Sequence, residues 1–143
     1  MEAGSKYIRM GFYEDFKGYD TVLISVDIHG LLEMESAFLR LSNGLAQFDF
    51  STLKCLDKRF RVTINTYVGE GNSGLRQVEK GIFEWILTKE KWGQFRQMVT
   101  ALYSNGTSGH QYLDAETGDI DPDSLQVVFS LDEYPLSFWQ EHK

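Results

Sequence analysis

Between Asp20 and Leu41 the chain changes its hydrophobic period, and that switch limits its folds more than any other feature. From Asp20 to His29 the residues alternate. Val22, Ile24, Val26 and Ile28 fall on one side, Thr21, Ser25, Asp27 and His29 on the other, and only Leu23 breaks the order. A period of two is the mark of a half-buried strand. Past Gly30 the recurrence lengthens to Leu31, Met34, Phe38 and Leu41, with Leu32 and Leu39 widening the stripe. That is the spacing of an amphipathic helix, and Asn43-Gly44 supplies its stop. A strand that gives way to a helix so abruptly commits the chain to a mixed fold.

The remaining sequence repeats both patterns. Lys6 to Phe12 reads as a first strand, joined by Tyr13 to Tyr19 to the one above. An apolar-aromatic stretch, Leu45 to Phe50, and a basic connection (Lys54, Lys58, Arg59, Arg61) lead to Phe60, Val62, Ile64, Tyr67 and Val68, rich in strand formers. Gly69 to Gly74 reads as a hairpin turn, followed by strands at Leu75 to Val78 and Ile82 to Leu87. Thr88 is a suitable N-cap for a second helix, Lys89 to Ser104, whose stripe is Trp92, Phe95, Val99, Leu102 and Tyr103. Strands near His110 to Leu113 and Leu125 to Leu131 complete the series. Runs of strands separated by helices predict an α+β fold, a largely antiparallel sheet with two helices packed on one face. The length of 143 residues suits a single domain over 1–143, with no internal repeat or dividing linker in the sequence.

Charge is distributed unevenly. Residues 1–109 hold 13 acidic and 13 basic side chains; residues 110–143 hold eight acidic residues against Lys143 alone, 1 − 8 = −7, the whole net charge. An acidic end of this kind repels nucleic acid and membrane phosphates and attracts basic protein surfaces. No export signal is visible near Met1, no apolar run is long enough for a bilayer, and the lone Cys55 forms no internal disulfide, so a cytoplasmic setting is expected.

Signatures of chemistry are few. Gly69-Glu70-Gly71-Asn72-Ser73-Gly74 lacks the lysine and the following helix of a phosphate loop. Asp119, Asp121 and Asp123 open like a calcium loop, but Ser124 and Ser130 stand where its glycine and glutamate belong. His29, His110 and His142 share no ligand spacing with one another or with Cys55, so neither a metal nor a cofactor is expected. Strand alternation does place His110, Tyr112 and Asp114 on one face, a polar row fit to grip a partner or close a sheet edge. No nucleophile motif accompanies it, and the chain reads as a binding protein rather than an enzyme.

Three elements carry a resemblance: Val26-Asp27-Ile28-His29-Gly30-Leu31, Phe83-Glu84-Trp85 leading through Thr88 into a tryptophan-bearing helix, and Gly109-His110-Gln111-Tyr112-Leu113-Asp114. Together they resemble a group of small bacterial proteins of uncharacterised function. The likeness runs from about Asp20 to Leu131 and implies a bacterial, stand-alone domain without carrying over any functional residues. In size, acidity and fold type the chain is also similar to immunity proteins of bacterial toxin systems. The expected role is therefore binding of another protein with a basic surface, with neutralisation of a basic toxin domain as the specific form. Asp114, Glu116, Asp119, Asp121, Asp123 and Glu133 would pair with its Lys and Arg, and Tyr112, Tyr134 and Trp139 would anchor it. The alternative is a small-ligand pocket between helices and sheet, with His110 and Tyr112 as its polar groups.

Overall fold

The computed structural model describes residues 6–16, 19–59, 62–71, 73–105, 109–113 and 125–131. Their order is β1 (Ile8–Phe16), β2 (Tyr19–Val26), α1 (Ile28–Ser42), β3 (Gln47–Asp49), β4 (Thr63–Val68), β5 (Gly74–Glu79), β6 (Ile82–Leu87), α2 (Lys89–Asn105), β7 (Gly109–Tyr112) and β8 (Gln126–Leu131). A single 3-10 turn, Phe50–Thr52, follows β3. The protein is α+β, as the alternating periods predict, but the strands form two sheets where one was expected. Their orders are β1-β2-β8-β7 and β3-β4-β6-β5. In each sheet the central pair is parallel and the two outer pairs are antiparallel.

The hairpin expected across Gly69–Gly74 does not form, although β5 and β6 pair antiparallel in succession. β4 and β5 are not neighbours; the Gly69–Gly74 segment carries the chain past β6 to the far edge, so it is a crossover and not a hairpin turn. Local period cannot distinguish these connections, because strands buried alike read alike whichever neighbour they pair with.

The two sheets share one plan. Each half of the chain is strand, strand, helix, strand, strand, and each gives its first two strands to one sheet and its last two to the other. The correspondence holds residue by residue. Val26 pairs with Leu131 at the end of β2 and β8, as Leu87 pairs with Val68 at the end of β6 and β4, and an N-cap follows each: Asp27 for α1 and Thr88 for α2. Along the helices Leu31 answers to Trp92, Met34 to Phe95, Ala37 to Met98, Phe38 to Val99 and Leu41 to Leu102, and every one except the half-buried Met98 is buried. Sequence alone shows no repeat here. The equivalent core positions keep their polarity and change their size, which preserves a fold and erases an identity pattern.

The core joins both sheets to both helices. Phe38 sits at its centre, with ring contacts to Phe50, Trp85, Trp92 and Phe129. The helices lie against each other where a Cβ on Gly93 would be 3.6 Å from Ser42, and where Glu35 meets Arg96 at 3.3 Å and accepts from the Thr100 hydroxyl at 2.7 Å. Glu35 and Arg96 are themselves equivalent positions, so the pseudo-twofold axis passes between them. Three residues assigned to the helical stripes face solvent instead: Leu32, Leu39 and Tyr103 are 41%, 37% and 48% exposed. Two packed helices need only a narrow stripe each, and these residues lie on its margins.

The motif at Val26–Leu31 has a structural explanation. Asp27 ends the strand and caps α1, its carboxylate accepting from the Gly30 amide at 2.8 Å and from the Tyr7 amide at 3.0 Å. The helix therefore begins at Ile28, and His29 lies in its first turn rather than on the strand. A Cβ on Gly30 would come within 2.1 Å of the Tyr7 carbonyl oxygen, so glycine is required for β1 to approach.

Candidate functional site

Of the residues singled out in the sequence, the structure places His110 and Tyr112. Asp114, Glu116, Asp119, Asp121, Asp123, Glu133, Tyr134 and Trp139 lie outside the described residues. Among the described residues β7 is the last strand of its sheet, and its residues alternate between two faces. His110 and Tyr112 project together on the outer face, both exposed, their rings perpendicular with centroids 5.5 Å apart. Gln111 lies on the opposite, inner face with the core residues Val127, Phe129 and Leu131 of β8.

Alternation along β7 finds only part of the row to which His110 belongs. Across the sheet, Arg9 pairs with Ser25, Ser25 with Ser130, and Ser130 with His110. Directly paired residues share a face with Cβ atoms about 5 Å apart, so these four form a continuous polar line over four strands. Three of its members are shut away from water: Ser25 and Ser130 have no exposed surface and Arg9 has little. The Arg9 guanidinium lies 4.0 Å from the Tyr7 ring centroid and its Nε 3.3 Å from Asp57. The Ser25 hydroxyl is buried and makes no hydrogen bond. The only hint of this row in the sequence is the pair of serines that interrupt the apolar runs 22–26 and 127–131, and period alone does not show that they meet.

The central strands of sheet one, β2 and β8, are thus covered on both faces, since Leu23 and Val128 on the outer side are as buried as the core. Sheet two is not. The outer residues of β4 and β6, including Asn65, Tyr67, Glu84 and Ile86, all keep some contact with solvent. Burial at the outer face of sheet one also raises the Tyr13 hydroxyl to about 12. At the β1 edge the segment after the 3-10 turn closes the sheet: the Ile8 amide donates to Cys55 at 2.8 Å and the Asp57 amide to Ile8 at 2.8 Å. Hydrogen bonds from Arg59 foremost, opposed by burial and aided by Arg9, hold the Asp57 carboxyl down at about 2. Burial, reinforced by the Glu33 carboxylate, pushes the Cys55 thiol up to about 11, which leaves it protonated and a poor nucleophile.

On the inner side of β7 a groove of about 500 Å³ runs along α2, lined by Lys91, Gln94, Phe95, Gln97, Met98, Ala101 and Gln111. It is the space that a ligand pocket between helix and sheet would occupy. Its strand residue is Gln111, however, and the expected polar pair, His110 and Tyr112, points away from it. Neither motif nor charge in the sequence marks this groove, because its shape depends on what the helix and the strand leave unfilled. The arrangement can hold an apolar or aromatic group against Phe95 and Met98 with side-chain amides at the rim. Among the described residues no group of three His, Cys, Asp or Glu side chains could hold a metal ion, and no helix is long and apolar enough to cross a membrane. Comparison with known protein families, curated proteins and solved structures gave no match.

Proposed function

We propose that the protein binds another polypeptide at the β7 edge, and that the partner is basic, as a toxin domain neutralised by an immunity protein would be. The observation that carries this reading is the exposed His110–Tyr112 ring pair on a terminal strand. A ring pair of this kind contributes most when a partner removes it from water, and tyrosine is a common interface anchor. The strand is followed directly by the segment that holds the whole net charge of −7, which would draw and orient a cationic partner.

Selection from a displayed random-peptide library tests the proposal. Binders should carry an excess of Lys and Arg, lose roughly tenfold or more in affinity between low and high salt, and fail on the Tyr112→Ala protein or after Asp119, Asp121 and Asp123 are changed to Lys. Binders of neutral or acidic composition, indifferent to Tyr112, would overturn it.

A further inference from the structure

Every antiparallel strand pair among the described residues lies within one half of the chain: β1–β2 and β3–β4 in the first, β5–β6 and β7–β8 in the second. Both parallel pairs, β2–β8 and β4–β6, join one half to the other. Neither sheet is complete within a half, and each consists of two antiparallel pairs joined along a parallel seam. The core divides in the same way. Phe38 of the first half meets Trp85, Trp92 and Phe129 of the second. Polar contacts also cross between the halves: Trp92 Nε1 donates to the Tyr67 carbonyl at 3.1 Å, the Thr100 hydroxyl to Glu35 at 2.7 Å, and the Thr63 amide to the Gly81 carbonyl at 2.8 Å. The halves are thus held together by the core itself, and their covalent link is the connection of residues 69–73.

We infer that a second copy of this chain is a partner for which the fold is already built: two copies exchange halves, the first half of each closing on the second half of the other. The exchange keeps both parallel seams, the ring contacts of Phe38 and the polar contacts between halves, and it alters only the course of residues 69–73. A short link gives the two halves of one chain an effective concentration for each other on the order of millimolar. The single chain therefore closes on itself in dilute solution, and exchange takes over where the connection cannot span. Val68 pairs with Leu87 and Gly74 with Ile86, so the ends to be joined stand on either side of β6, about 10 Å apart. The native connection has six Cα steps for that distance. A connection of one residue has two steps, which reach about 7.6 Å. His110 and Tyr112 travel with β7, so the exchanged dimer carries two copies of their ring pair.

Complementation between full-length chains tests the exchange. Phe38→Asp and Val99→Asp, at equivalent buried positions, each set an unpaired carboxylate in one half and should each leave the chain unfolded. Refolded together, they should give a particle of two chains with roughly half the native near-ultraviolet signal, because one of its two lobes joins two intact halves. Phe38→Asp refolded with Leu31→Asp, both in the first half, should recover nothing, since no lobe is then intact. Deletion of residues 70–73 should turn the otherwise native chain from a monomer into a folded dimer, read by light scattering and circular dichroism. A first mixture that stays unfolded, a second that recovers, or a shortened chain that is not a folded dimer would overturn the inference.

Discussion

The α1–β3 flank and the α2–β7 flank are built on the same backbone plan, and they are finished differently. On the first, Arg40 covers Phe48, and the Glu33 carboxylate draws in the following segment by accepting from the Lys54 and Cys55 amides at 2.6 and 2.8 Å. On the second, Ala101 and Gln111 leave a groove, and Gln94 stands where Glu33 stands in the first. A fold that repeats itself supplies its own reference state. The first flank is finished with long side chains, and the second with shorter ones and with Lys91 set 5.7 Å from the Phe95 ring centroid.

The comparison can be broken first at the core. Phe38 and Val99 are equivalent, and Phe38 has ring contacts with both sheets. Phe38→Ala should cost about 3–5 kcal/mol and Val99→Ala about 2 kcal/mol, read from chemical denaturation. Equal losses would mean that the two helices share the core evenly. A smaller effect is expected from opening the closed flank: Arg40→Ala with Phe48→Gln should lower stability by about 1–2 kcal/mol. The least effect concerns the segment that closes the β1 edge. The folded Asp57 pKa, about 2, lies below its ordinary 3.8. Its contribution is therefore present above about pH 4 and is lost as pH falls toward 2. Asp57→Asn should flatten the acid limb of stability in that window and leave the neutral-to-basic limb unchanged.

Much of the fold is legible in the sequence, for identifiable reasons. Val22, Ile24 and Val26 alternate because one face of β2 meets the core, and Leu31, Met34, Phe38 and Leu41 recur because one stripe of α1 does. Thr88 and Asn43 mark helix ends through local hydrogen bonds that any chain would make. The features that escape the sequence depend on partners remote along the chain. The parallel pairings of β2 with β8 and β4 with β6 leave no local period. Leu23, buried on the outer face of sheet one, appears only as a break in an alternation. At the candidate site, alternation correctly joins His110 to Tyr112. The row through Ser130, Ser25 and Arg9 needs sheet order, and the groove beside Gln111 needs the fold.

The most direct measurement is the affinity of the full chain for a lysine-rich peptide selected on it, compared with that of the Tyr112→Ala protein. The account predicts that the substitution weakens binding roughly tenfold or more and that added salt weakens it as well. Binding that survives both changes would contradict it.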